Sequence, residues 1–163
     1  MNRFEPGVSG VEIRASRTDD VPALAEILAS QDPWRKLGFG RDDCRRLLER
    51  ANQQILTVTD SRDGVVALAG WVQRGVIGQP YLNLLAVSPG VQGRGIGAAL
   101  LREVEHRAFE TSRNLFLCVS GFNERARRFY LREGYEEIGV IREFLVAGCD
   151  EVLMRKSLGP LRG

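Results

Sequence analysis

The sequence predicts an α+β fold: a mixed, mostly antiparallel sheet of about seven strands flanked by four helices, a three-layer α/β arrangement in some schemes. Two observations carry this. Runs of strand length and runs of helical periodicity succeed one another in the order β-α-α-β-β-β-α-β-α-β-β. Several strand candidates are joined by short turns, as hairpins require, and one long helix stands between strands as a crossover. A length of 163 residues fits one domain with a substantial core. The expected division is a flexible arm at 1–10, a single domain at 11–158 and a tail at 159–163.

Each element has a local reason. Val11 to Ala15 is a short first strand. Thr18, Asp19 and Asp20 offer caps for a helix, Pro22 fits its first turn, and Leu24, Ile27 and Leu28 form its apolar face to about Ala29. Gln31 to Gly40 is punctuated by Pro and Gly and reads as a loop. Arg41 or Asp42 opens a second helix with Cys44, Leu47 and Leu48 on one side, ending near Asn52. Ile55 to Thr59 and Val65 to Val72 form a hairpin through Asp60 to Gly64. Gly75 to Pro80 turns the chain into the strand Tyr81 to Val87. A third helix runs to about Ser112, followed by the buried-type strand Leu115 to Val119. Asn123 to Glu133 is the fourth helix, and Tyr135 to Leu145 with Glu151 to Lys156 closes the chain as a strand pair around Gly148.

Composition excludes several classes of function. A formal net charge of +2 gives no case for nucleic acid. No apolar run approaches the ~20 residues that span a bilayer, and the N-terminal stretch shows no apolar core of a secretory signal. Cys44, Cys118 and Cys149 are scattered and odd in number, which points to a reducing, cytoplasmic setting. His106 is the only histidine and lies mid-helix among charged neighbours, so neither a zinc site nor a Ser-His-Asp mechanism is expected, and no metal is assigned.

The most informative stretch is Gln92-Gly93-Arg94-Gly95-Ile96-Gly97, set between a strand and a helix. Gly93, Gly95 and Gly97 are free to take φ > 0 and carry no Cβ. Such a turn can aim several N–H groups at one point, and the following helix adds its own unpaired N–H groups and the positive end of its dipole. The combination is a cradle for a pyrophosphate. Gly93-x-Gly95-x-x-Ala98 also satisfies the dinucleotide fingerprint. Against that reading, Ser88 to Gln92 intervene after the strand, no acidic residue closes the next strand, and the upstream hairpins are unlike a doubly wound sheet.

A second signature follows. Asn123 is a good N-cap; Ala126, Phe129 and Tyr130 share a helix face; Gly134 ends the helix. Small Ala126 allows a ligand to approach closely, while Phe129 and Tyr130 by themselves read as core. Together the two stretches resemble the GNAT superfamily of acyl-CoA-dependent N-acetyltransferases. Its first motif, [QR]-x-x-G-x-[GA], is met by Gln92 to Gly97; its second, N-x-x-A-x-x-[FY]-Y-x-x-x-G-[FY], by Asn123, Ala126, Phe129, Tyr130, Gly134 and Tyr135. The order of elements over residues 11–156 is similar to the family fold.

The resemblance implies acetyl-CoA as cosubstrate, a primary amine of a small molecule or peptide as acceptor, and direct transfer without a covalent enzyme intermediate. It implies that Leu85, Ala86 and Val87 splay from the next strand and pair with the pantetheine arm. Main-chain N–H groups of Gln92, Gly93, Arg94, Gly95, Ile96, Gly97 and Ala98 would hold the pyrophosphate, and Asn123, Ala126, Phe129 and Tyr130 would complete the coenzyme site. Val87 N–H would be the oxyanion donor. Tyr130 would meet the departing sulfur. A free Tyr has pKa ~10 and a free thiol ~8.5, so full proton transfer is uphill by roughly 2 kcal/mol; Tyr130 is either acidified or acts as a hydrogen-bond donor. Relatives often carry a glutamate base on the strands equivalent to 81–87 or 115–119. Period-two alternation here gives Tyr81, Asn83, Leu85 and Val87 on one face and Cys118 at the other place, with no carboxylate. Tyr81 and Asn83 are therefore expected to hold a water that carries the amine proton. Missing carboxylates also raise the alternative of a non-catalytic acyl-CoA sensor, against which Tyr130 argues. The resemblance places the acceptor between Gln31 to Gly40 and Glu143 to Asp150, with Asp32 and Trp34 as candidate cation seats. It also leaves a homodimer open.

Overall fold

The computed structural model describes residues 8–162. Residues 1–7 of the expected arm and Gly163 of the tail lie outside the described residues. Val8, at the arm's end, packs against the core, and a Cβ on Gly95 would stand 3.7 Å from its side chain.

Seven strands form one sheet: β1 (Val11–Ala15), β2 (Gln53–Asp60), β3 (Gly64–Val72), β4 (Tyr81–Val87), β5 (Asn114–Ser120), β6 (Glu136–Val146) and β7 (Cys149–Ser157). Their order across the sheet is β1-β2-β3-β4-β5-β7-β6. Every neighbouring pair is antiparallel except β4 and β5. Four helices cover it: α1 (Val21–Ala29), α2 (Arg41–Leu48), α3 (Ile96–Phe109) and α4 (Glu124–Arg132). This is the predicted α+β fold. Among the described residues no helix is long and apolar enough to cross a membrane.

Local chemistry sets the boundaries. A single 3-10 turn at Thr18–Asp20 precedes α1. Asp20 does not cap that helix; its carboxylate accepts from the Arg14 guanidinium (2.7 and 2.9 Å) and from Arg17 N–H (2.7 Å), tying β1 to the helix start. Asp43 accepts from Gly40 N–H (2.9 Å) and fixes the start of α2. That helix stops at Leu48, short of the expected Asn52, which instead takes φ 61 in the turn into β2.

Two cores lie on opposite faces of the sheet. Trp71, Leu100, Leu101, Val104, Leu117 and Met154 fill the α3/α4 side. Leu24, Leu28, Cys44, Leu68 and Leu84 fill the α1/α2 side. Truncating any of these buried leucines costs about 2–5 kcal/mol.

Strand β4 departs from simple alternation. Trp71 pairs with Leu82 and the adjacent Gly70 with Leu84, so Asn83 is an extra residue, a β-bulge. Leu82, Leu85 and Val87 consequently face the α3/α4 core, whereas Leu84 and Ala86 face α1 and α2. Tyr81 and Asn83 therefore do not share a face with Leu85 and Val87, correcting the expectation from strict alternation. The bulge reverses the phase of alternation, so Leu82 and Leu84, two residues apart, face opposite layers.

Candidate active site

Among the described residues the sheet's only parallel pairing is short. Strands β4 and β5 meet at Tyr81–Phe116 and Leu82–Leu117 and then diverge. Ser88 N–H donates to Val66 O (2.8 Å) across the β3 edge. Alternation along β4 turns Ala86 the same way and aims the N–H and C=O of Leu85 and Val87 at the open fork. The divergence that the resemblance implied is present, lined by main-chain groups of Leu85 and Val87, of which Val87 O is engaged by Gln92.

The glycine turn closes the wide end of the fork. Gly93 and Gly95 take φ 83 and 80, the left-handed region that favours glycine. Gly95 is the N-cap of α3. Gly97 uses the other freedom, the missing Cβ: it lies in the first helical turn, where a Cβ would stand 3.5 Å from Val87 and 3.9 Å from Phe129. Its bareness serves close approach rather than backbone conformation. Ala99 N–H donates to Gly95 O (3.0 Å), the first bond of the helix, so the N–H groups of Ile96, Gly97 and Ala98 have no partner within it. Two side chains brace the turn. Gln92 Nε2 donates to Val87 O (2.9 Å). Arg94 reaches back to Asp60 (2.9 Å) at the end of β2. The Arg62 main-chain N–H, and then the Arg94 guanidinium, hold the Asp60 carboxyl below the usual range.

Two cavities flank the fork. One, of about 450 Å³, runs along the glycine turn between α3 and α4 and includes Gln92, Gly93, Gly95, Ile96, Gly97 and Ala98 in its wall. Arg125 and Arg132 stand on its rim, while Arg128 pairs with Glu124 at 3.9 Å. The other, of about 490 Å³, is walled by Tyr81, Asn83, Cys118, Ser120 and Glu151, with loop residues on one side and the β6–β7 hairpin on the other. Both cavities touch Pro33, Trp34, Leu85, Asn123, Ala126 and Tyr130, so they meet at these residues.

Tyr130 stands at that junction. Its ring packs edge-on against Phe129 (5.1 Å) and Tyr135 (5.5 Å), which fixes its direction. Burial pushes its hydroxyl well above the ordinary tyrosine pKa, so the group stays protonated and is a hydrogen-bond donor rather than a strong acid. Asn123 Oδ1 accepts from Ala126 N–H (3.2 Å) and caps α4. Phe129 lines the first cavity while also packing on the core.

The second cavity contains a group that sequence alone did not single out. Glu151 is 2% exposed and accepts from Ser120 Oγ (2.7 Å). Burial raises its pKa, against the opposing Ser120 hydrogen bond. It comes from β7, which pairs Glu151 with Ser120. Only the register across that long connection brings it beside Cys118 and Tyr81, so neither motif nor spacing marks it. Tyr81 is pushed up by burial and then by Cys118 beside it. Asn83 Nδ2 donates to Gln53 Oε1, whose amide in turn donates to Leu47 O (3.0 Å). Asp32 sits on the wall of the first cavity, 3.4 Å from Arg35, whereas Trp34 lines both. His106 is exposed near Glu110, remote from either cavity wall.

The chain is similar in sequence and fold to known proteins. A model of the acetyltransferase (GNAT) family matches residues 21–135. N-alpha-acetyltransferase RimI of Mycobacterium tuberculosis is 29% identical over 161 residues, with 95% of each chain covered. The crystal structure of a protein assigned to the GNAT family from Desulfovibrio desulfuricans superposes with a TM-score of 0.75 at 27% identity, covering 91% of this chain and 99% of that one. An aminoglycoside 6'-N-acetyltransferase complexed with coenzyme A shares the fold, with a TM-score of 0.74 at 16% identity over 91% and 97% of the two chains.

Proposed function

The chain belongs to the GNAT acetyltransferase family and is an acetyltransferase; from that premise we propose that it carries an acetyl group from acetyl-CoA directly to a primary amine of a small molecule or peptide. One observation carries the reading: the cavity walled by free main-chain N–H groups and the cavity holding a buried carboxylate meet at the Tyr130 side chain.

The donor side fits acetyl-CoA in its residue chemistry. The left-handed turn at Gly93 and Gly95 and the unpartnered first-turn amides of α3 suit a pyrophosphate. Leu85 and Val87 offer strand-like pairing to an amide-bearing arm, and Arg125 and Arg132 offer positive charge at the rim. The coenzyme supplies an activated acetyl thioester; the protein supplies position and proton handling.

Val87 N–H donates to the acetyl oxygen as charge gathers there, and such preorganised donors contribute a few kcal/mol. Glu151 accepts the proton that the attacking amine must lose. A carboxyl raised above its ordinary pKa is a better base for that purpose. Tyr130 donates a hydrogen bond to the leaving sulfur and keeps its own proton, since burial makes its ionisation still harder than in water. The water held by Tyr81 and Asn83 is thus replaced in this scheme by a side-chain carboxylate, with Tyr81 lining the path to it. The missing carboxylates on strands 81–87 and 115–119 are the ground for a non-catalytic sensor, and in this scheme Glu151 supplies the base from the neighbouring strand β7.

The test is turnover. With acetyl-CoA saturating, an amine panel is screened for release of free thiol. Coenzyme binding without thiol release on any amine would defeat the transferase mechanism and favour the sensor.

A further inference from the structure

The acceptor cavity has an uneven wall. Glu151 is its one carboxylate and Arg50 its one cation among the described residues. The rest of its outer wall is dominated by apolar groups: Trp34, Leu37 and Phe39 from the loop between α1 and α2, and Ile141, Phe144 and Leu145 from β6. The loop residues are buried or half-buried, but Phe144 and Leu145 remain 55% and 49% exposed. Large apolar side chains at a cavity mouth, uncovered by the rest of the chain, gain most from an apolar occupant.

Their position is built, not incidental. Pairing of β6 with β7 breaks between Ile141 and Val146, so residues 142–145 arch out of the ladder. Glu143 holds φ 46, a left-handed conformation unfavourable for a side-chain-bearing residue. Two hydrogen bonds hold it there: Asp150 Oδ1 accepts from Glu143 N–H (3.0 Å), and Glu143 Oε1 accepts from Gly148 N–H (2.8 Å). The arch directs Phe144 and Leu145 to the cavity opposite Trp34. A polycation would meet a single carboxylate here, and its further charges would be placed against hydrocarbon at a desolvation cost.

We propose, resting on the acetyltransfer reading above, that the acceptor is a primary amine borne one or two carbons from an apolar group, with the amine at Glu151 and the apolar group between Trp34 and the Phe144–Leu145 arch. Such an amine is offered both by a small arylalkyl or alkyl amine and by a peptide that begins with an apolar residue.

The test uses the full chain with saturating acetyl-CoA and compares leucinamide, glycinamide, 2-phenylethylamine, a Leu-initiated tripeptide amide and spermidine. Leucinamide and glycinamide share the α-amine chemistry and differ in the side chain alone. The expected kcat/KM for leucinamide exceeds that for glycinamide by about 30-fold or more. Phe144→Ser and Leu145→Ser, at exposed positions, reduce that ratio at least threefold. Preference for the tripeptide over the two small amines assigns the source as a peptide terminus; the reverse assigns a free amine. Equal rates for leucinamide and glycinamide, or preference for spermidine, overturn the proposal while leaving acetyl transfer intact. If no amine turns over, conjugates joining coenzyme A through an acetyl linker to leucinamide or glycinamide are compared by dissociation constant. A leucinamide conjugate that binds no more tightly overturns the proposal, and failure to bind coenzyme A at all overturns the acetyltransfer reading with it.

Discussion

The cavity beside α3 is bordered by a glycine turn with unpartnered main-chain amides, and the cavity between the α1–α2 loop and the β6–β7 hairpin is bordered by a buried carboxylate and apolar side chains. On the side proposed for the coenzyme, the assigned groups are the N–H groups of Leu85, Val87 and the first turn of α3, and Gln92 and Arg94 brace the backbone there: Gln92 clasps Val87 O, and Arg94 clasps Asp60. On the side proposed for the acceptor the backbone is tied up in ladders, and the chemistry is assigned to Glu151, Tyr81 and the apolar wall. Main-chain sites constrain glycine positions and tolerate change at side chains. Side-chain sites do the opposite. The two halves should therefore respond differently to substitution.

Loss of Tyr130, at the junction, tests whether the halves act together. Tyr130→Phe keeps the ring packing and removes the hydroxyl, so kcat falls by about 10- to 1000-fold while coenzyme affinity, measured by calorimetry, stays nearly unchanged. An equal loss in both quantities would place the hydroxyl in binding instead. Next in size is Glu151→Gln, with kcat/KM reduced by about 100-fold. Its folded pKa is raised, so the ionised, proton-accepting form is present above that pKa and is lost as pH falls through it, at a pH above the ordinary carboxylate range. The same shift means that ionised Glu151 costs folding stability at neutral pH, and the glutamine variant should melt at a higher temperature there. Its pH–rate profile should keep the limb set by the amine and lose the lower, carboxylate limb.

Smaller effects are expected where the backbone is the ligand. Gly95→Ala places a Cβ at φ 80, at a cost of about 1–2 kcal/mol, and weakens coenzyme affinity roughly fivefold to thirtyfold with kcat preserved. Asp60→Asn loosens the Arg94 brace and is expected to raise the coenzyme dissociation constant about twofold to threefold, since a single partly exposed ion pair contributes little. The Asp60 pKa is lowered, so in the parent protein this brace persists at neutral pH and is lost only as pH falls through that depressed value. A kcat effect larger than the affinity effect in either variant would contradict the division between the two halves.

The same division explains what could be read in the sequence. Strands β1 and β4 lie within their predicted bounds, since apolar runs and turn residues are local signals. The glycine turn and the α4 face were legible because backbone geometry demands particular residues at particular spacings. The bulge at Asn83 was not, because an extra residue in a strand leaves no compositional trace and only the pairing with β3 reveals it. Glu151 was hidden for a related reason: it lies at the head of an otherwise ordinary strand, and its meaning arises from register against β5. Which of its two freedoms Gly97 uses was not legible, because freedom of φ and freedom from a Cβ look the same in a sequence.

The fork has a mechanical consequence. Strands β1 to β4 and strands β5 to β7 are two slabs joined edge to edge by two residue pairs. A ligand whose amides bond to Leu85 and Val87 would act as an added partial strand and stitch that seam. Cargo loading and tightening of the whole scaffold would then be one event, with the empty protein weakest along the line to which its chemistry is assigned.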